Sequence, residues 1–424
     1  MNMIFILLKI LIAIGGLMTA AAYFVLLERR MAAWVQDRVG PNRVGIPLTK
    51  IRLFGLGQPL ADGVKFIMKE EYTPAHVDKK LFVLAPIVIL VAALATFAVI
   101  PFGSMLPPMG ALLPESVFGK EVSQAPVDLV VAPGANVGMI YVFALSSIAV
   151  YGVILGGWAS NNKYSLLGGL RSSAQLIAYE LPLGLGLLGV VLASGSMDLG
   201  KIINSQAETG IWFAIAQPLG FFVFVVAAFA EAARLPFDLP ECEQELIGGY
   251  HTEYSGIKLL LFLVAEFLHM ITASFLIVIL FLGGWHFWGL TGGTAEINGW
   301  GFTWGGAAWL QAFLRIGVLM TKITLVIMCF MLIRWSWPRF RFDQLMALAW
   351  KVMLPLGLIN FAAVAILQQL QWAFTGDFGQ SWLMVPIAWG VAIVSWVGIT
   401  IAAPLLADNR PRRDLDSWEI DSQI

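Results

Sequence analysis

The chain has 424 residues, 59% of them hydrophobic and only 12% charged, with a formal net charge of -1. Its mean hydropathy is +0.80. Those values exclude an ordinary soluble domain and describe an integral membrane protein, for which no nucleic-acid partner is expected.

In chain order, membrane helices are predicted at approximately 3–27, 81–101, 137–159, 172–193, 211–230, 258–282, 313–335, 345–372 and 382–406. Each follows an apolar run long enough for a bilayer, which takes about 20 residues. The first, in MNMIFILLKILIAIGGLMTAAAYFVLLERR, reads as a retained helix. Its apolar stretch runs to Leu27, longer than the ~7–15 residues of a signal peptide core. The loop that follows carries Arg29, Arg30, Arg38, Arg43, Lys50, Arg52, Lys65, Lys69, Lys79 and Lys80, whereas the next has only Lys120. This asymmetry places the N-terminus outside and the C-terminus in the cytoplasm, as an odd number of spans requires. Within that loop, QPLADGVKFIMKEE alternates apolar and charged residues at helical spacing. It is expected to lie on the inner membrane surface or against a partner.

Glu180 falls about two turns into the fourth helix, where an ionisable group costs ~2.5–3.5 kcal/mol on insertion scales and is a functional candidate by default. Glu231, at the inner end of the fifth helix, and Glu266, in the sixth, belong to the same class. His269, one turn after Glu266, either shares its proton or satisfies it, and Lys322 in the seventh helix is a candidate counter-charge. Gly184, Gly186 and Gly189 spell GxGxxG, but in mid-membrane with no preceding strand they read as helix-packing positions rather than a nucleotide fingerprint.

The segment EAARLPFDLPECEQELIGGYHTEYSG concentrates Glu231, Asp238, Glu241, Glu243, Glu245 and Glu253 between two strongly apolar runs. Carboxylates at a membrane edge lose hydration and repel one another, which makes them candidates for proton handling; a solvated acidic loop is the alternative. Pro236 and Pro240 predict a non-helical turn there. Any helix after Pro240 would set Glu241 and Glu245 on one face, where like charges destabilise it. Trp285, Trp288, Trp300, Trp304 and Trp309, in the outer connection, read as an interfacial aromatic belt. Two cysteines, Cys242 and Cys329, cannot supply the four thiolates of an iron-sulfur cluster. His76, His251, His269 and His286 show no pairing suited to a haem, and no metal site is read. Any redox chemistry would need electrons carried by another chain.

Four blocks resemble one family: ERRMAAWVQDRVGPNRVG with QPLADGVKFIMKE, then LLGGLRSSAQLIAYELPLGL, then EAARLPFDLPECEQELIGGYHTEYSG, and PRFRFDQLMALAWKVMLPL. In this order they are similar to the H-type membrane component of the bacterial proton-pumping NADH:quinone oxidoreductase, respiratory complex I. The resemblance implies an all-α integral membrane protein, a single polytopic domain over 1–424, with an eight-helix core, an additional ninth span at the C-terminus and amphipathic inner-surface helices. It implies that the inner loops at about 28–80 and 231–257 face the quinone and the peripheral arm. Arg29, Arg38, Asp62, Lys65, Arg339 and Arg341 would line or support the quinone chamber. Glu180, Glu231, Asp238, Glu241, Glu243, Glu245 and Glu266 would form a proton path toward antiporter-like subunits. Quinone would be the substrate, and iron-sulfur clusters and FMN would reside in partner subunits. The chain would sit in the bacterial inner membrane. Family members often carry Leu at Gly57 and Thr-Asn at Ala232 and Ala233, and the segments 102–136 and 283–312 look long for the family. The membrane component of a related energy-converting hydrogenase is the alternative; a self-contained transporter would predict internal repeats, and none is evident.

Overall fold

In a computed structural model the chain is described over residues 3–45, 55–108, 126–238, 247–288, 290–291, 305–375 and 384–402. The elements are α1 (Met3–Val35), α2 (Gln58–Met68), α3 (Lys79–Ala95), α4 (Gly138–Ala159), α5 (Lys163–Ser194), α6 (Leu199–Thr209), α7 (Pro218–Glu231), α8 (Gly256–Phe281), α9 (Gly305–Ser336), α10 (Phe342–Ala347), α11 (Leu354–Thr375) and α12 (Met384–Ala402). A π-helical turn, Leu348–Met353, joins α10 to α11 as one span. The protein is an all-α integral membrane protein, and among the described residues eight helices are long and apolar enough to cross a bilayer.

Polar caps set the helix ends. Asp78 accepts the backbone N–H groups of Lys80 and Leu81, Asn162 that of Tyr164, and Asp198 that of Gly200. Gly195, at φ 66, ends α5 in the left-handed conformation that glycine adopts freely.

The fifth expected span is where sequence and structure differ. Instead of one helix over 211–230 there is a single turn, Phe213–Ala216, a break at Gln217, and the 14-residue α7. Pro218 supplies the reason: its ring disfavours helical backbone at the preceding residue, and Gln217 sits at φ -133, ψ 65. Such a break in hydrocarbon must have its polar groups satisfied locally. Gln217 Nε2 donates to the Gly189 carbonyl at 3.2 Å and Trp389 Nε1 of α12 to the Ile215 carbonyl at 3.0 Å.

The core centres on α8, in which every residue from Met270 to Phe281 is buried, and α5, α7, α9 and α11 contribute to the same cluster. A second cluster joins α3, α4 and α8 through Tyr250 and Tyr254. Tyr254 stacks on Phe82 at 4.0 Å and donates to its carbonyl at 3.2 Å; burial pushes its phenol above the ordinary value, so it stays a donor. Helices α1 and α12 turn apolar side chains such as Leu11, Ile393 and Val394 outward, as lipid solvation allows.

Glycines bring the site's elements together. A Cβ on Gly168 would lie 2.7 Å from Gly249 Cα and 2.8 Å from Tyr250 N, so α5 and the 249–251 turn touch backbone to backbone. Gly168→Ala is therefore expected to lower stability by about 1–3 kcal/mol, whereas Gly184→Ala, with nothing within 4 Å of its Cβ, is expected to be neutral. Thermal unfolding in detergent compares the two. Of the GxGxxG glycines, Gly186 and Gly189 face close neighbours in α7 and α11, which agrees with the packing reading for those two.

Candidate functional site

Helices α4, α5, α7 and α8 enclose a cavity of about 50 Å³ lined by Glu180, Glu231, Glu266, His269, Ser146 and Tyr250. That volume admits a few waters, because a site needs roughly 10–15 Å³ per molecule and two to four polar partners. Ser147 hydrogen-bonds the Glu180 carboxyl, and Ser146 that of Glu231, which feels the charge of Glu180. Three carboxyls and an imidazole from three helices thus converge on one polar space. Each of the three intramembrane acids singled out in the sequence lies there.

The cavity is joined to a buried chain of charges. Arg234, only 4% exposed, sets Nε 2.9 Å from Glu266 Oε1 and Nη1 3.2 Å from Glu28 Oε2, with its guanidinium 4.3 Å over the Phe267 ring. Arg334 pairs with the same Glu28 carboxylate. Buried charges persist only when paired in good geometry, and here two carboxylates share two guanidinium groups. Glu28 and Arg234 were not among the predicted site residues. Their signal was present, since Glu28 ends the uncharged run that follows Lys9 on α1, and Arg234 stands between Glu231 and Asp238.

Beyond Arg234 the chain turns into the PFD segment. Gln175, fully buried, donates from Nε2 to the carbonyls of Ala230 at 2.9 Å and Phe237 at 2.8 Å, clamping the end of α7 to this turn. Asp238 is thereby held inside, with Arg339 Nη2 3.6 Å from its Oδ2. The predicted non-helical turn is present over residues 236–238; Glu241, Glu243 and Glu245 lie outside the described residues. Glu253 turns elsewhere, accepting from Asn162 Nδ2 at 2.7 Å.

The basic set divides. Arg29 Nη1 lies 2.6 Å from Asp62 Oδ2, tying α1 to α2, and Gln58 Nε2 donates to Asp62 Oδ1 at 3.1 Å. Helix α2 buries none of its residues, as expected of a surface helix. Lys65 is exposed on it. Arg38 is exposed, donates from Nε to Gln36 Oε1 at 2.8 Å, and lines an open cleft with Arg30 and Trp34. Arg341 is exposed at the start of α10. Among the described residues no ion pair joins Arg38, Lys65 or Arg341 to the Arg29–Asp62 or Arg339–Asp238 pairs.

Two expectations need correction. Lys322 is not a carboxylate's counter-charge: its ammonium donates to the carbonyls of Leu282 at 2.6 Å, Gly284 at 3.0 Å and His286 at 2.6 Å, and lies 4.4 Å over Trp212. The tight turn after α8 leaves those carbonyls without helical partners, and an ammonium has three donors to meet them. Lys322→Met is expected to cost about 1–3 kcal/mol, read as a lower thermal midpoint with the cavity chemistry intact. Trp285 belongs to the core rather than to an interfacial belt, being 6% exposed. Trp288 stacks on Trp212 at 4.1 Å, and Trp300 and Trp304 lie outside the described residues.

Ala233, which lines the cavity, has φ 48. That left-handed backbone suits Asn or Gly and costs a Cβ-bearing residue such as Ala roughly 1–2 kcal/mol. Ala233→Gly is accordingly expected to raise the thermal midpoint, and an unchanged or lower midpoint would count against strain at this position. Among the described residues no group of three His, Cys, Asp or Glu is placed to hold a metal ion.

Residues 8–365 match the family described as NADH dehydrogenase. Helix α12 lies beyond that match. The chain is 45% identical to an H-type chain of the NADH-quinone oxidoreductase of Cytophaga hutchinsonii over 345 residues, 80% of this chain and 90% of that protein. It is 45% identical to the corresponding H-type chain of Geobacter metallireducens, over 83% of this chain and 93% of that one. It is 47% identical to NADH-quinone oxidoreductase subunit 8 of Thermus thermophilus, over 86% of this chain and 87% of that one. With most of its length matched at these identities, the chain belongs to the NADH dehydrogenase family, as a membrane component of the H type.

Proposed function

We propose that the chain helps form the quinone-reduction chamber of an NADH-quinone oxidoreductase and couples quinone reduction to proton translocation through its acidic residues. The observation that carries this reading is the continuity of charge from Arg334 through Glu28 and Arg234 to Glu266, which opens on the cavity shared with Glu180 and Glu231. The electrons come from an iron-sulfur cluster in a peripheral subunit, whose FMN partner oxidises NADH. Quinone takes up two electrons and two protons, so negative charge develops transiently in the chamber, where Arg29 pairs with Asp62 on α2 and Arg339 with Asp238 of the PFD turn.

Arg234 is the natural relay because it is shared. Drawn toward Glu28, it leaves Glu266 less compensated and favours proton uptake in the cavity; drawn back, it favours release. Coupling of this kind needs two states that differ in their interaction with the reduced and oxidised quinone. The relatives' descriptions as parts of NADH-quinone oxidoreductase support this reading over a hydrogenase component. The chain would lie in the bacterial inner membrane, N-terminus outside, beside antiporter-like subunits.

Purification in mild detergent followed by mass spectrometry of the companions tests the assignment. NADH-oxidising and iron-sulfur subunits are expected; a nickel-iron hydrogenase large subunit in their place would overturn it.

A further inference from the structure

A second, larger cavity lies at the other end of α1, about five helical turns from the Glu28 cluster. Its volume is about 480 Å³, within the roughly 300–1,000 Å³ of small-molecule sites. Helix α1 forms one wall from Phe5 to Phe24, α8 and α9 form the others, and the strap 127–131 lies at the Lys9 end. Lys9, Asp128 and Thr324 are the polar side chains of an otherwise apolar lining.

Lys9 is the informative residue. Its ammonium donates to the backbone carbonyls of Asp128 at 2.7 Å and Val130 at 3.3 Å and lies 5.0 Å from the Phe5 ring centroid. An ammonium carries three donors, so one lacks a hydrogen-bond acceptor among the described residues. A cation in an apolar cleft facing hydrocarbon is costly without an anionic partner. The Asp128 carboxylate acts on it electrostatically without closing an ion pair among the described residues. Cation and carboxylate at the mouth of an apolar cleft match the phosphate and ammonium of a zwitterionic headgroup, with an acyl chain below.

We infer that this cleft is a binding site for one glycerophospholipid, its phosphate on Lys9, its amine toward Asp128 and one acyl chain between α1, α8 and α9. A retained lipid would seal α1, which otherwise packs loosely here: a Cβ on Gly16, in the cleft wall, meets nothing within 4 Å.

The test uses the whole purified complex reconstituted with phosphatidylethanolamine bearing a diazirine in one acyl chain, with cross-links mapped by peptide mass spectrometry. Labelling is expected to saturate at one lipid per chain within residues 8–24. It should fall at least fivefold in Ala13→Trp, which fills the cleft, fall severalfold in Lys9→Gln, and persist in Lys9→Arg. Thermal midpoints show that each variant is folded. Labelling that never saturates and is equal on α12 would mean annular lipid only. A cleft residue cross-linking to another polypeptide would mean that a protein helix fills it. Saturable labelling indifferent to Lys9 would remove the headgroup contact. Each of these results overturns the inference.

Discussion

Glu180→Gln is expected to leave the chain folded and assembled while cutting coupled turnover by about tenfold or more. The substitution keeps the shape of the side chain and an oxygen that can accept from Ser147, so the α4–α5 contact survives. What disappears is one exchangeable proton in a cavity of three carboxyls. Positioned acid-base groups contribute roughly 10²–10⁴ in rate, so tenfold is a lower bound for a group on the path. Quinone reduction by NADH and acidification of proteoliposomes are measured together, with assembly followed on native gels. Pumping at the wild-type rate in the assembled variant would remove Glu180 from the path.

Arg234→Met is expected to have the largest structural effect in the molecule. Glu28 keeps Arg334, but Glu266 loses the Arg234 guanidinium that lies 2.9 Å from its carboxylate. Removing one partner of a buried pair costs about 3–5 kcal/mol, and most of the protein should fail to assemble. Arg234→Lys should be intermediate, because an ammonium is a point charge and lacks the fork that bridges both carboxylates. The double variant Arg234→Met with Glu266→Gln should recover part of the loss, since the carboxylate charge that faced Arg234 is then removed with it. Membrane levels of the assembled chain read all three. Equal loss in the single and double variants would show that Arg234 acts by packing on Phe267 rather than by charge.

The pattern of spans was legible because hydrocarbon imposes a length and composition that few segments satisfy by accident. The broken fifth span was less so: Pro218 sits in an uncharged run that a hydropathy reading takes as continuous, and only the partners Gly189 and Trp389 reveal where its polar groups go. Glu180, Glu231 and Glu266 stood out singly, because intramembrane charge is rare and functional. Their meeting in one cavity depends on close glycine contacts such as that of Gly168 with Gly249, a three-dimensional fact that no local spacing encodes. Glu28 and Arg234 escaped for a related reason. Each looks like a helix-end charge at an interface, and only the 206-residue separation closed by their hydrogen bonds makes them one buried cluster. Lys322 misled by depth, since depth argues that a charge has a partner but does not say whether the partner is a carboxylate or a set of carbonyls.

Redox-difference infrared spectroscopy of the assembled complex reads whether the acidic cavity exchanges protons in step with quinone reduction. Reducing the quinone is expected to change the protonated-carboxyl band, and Glu231→Gln and Glu266→Gln are each expected to remove part of that change. An identical carboxyl difference signal in the wild type and both variants would show that Glu231 and Glu266 exchange no proton when quinone is reduced.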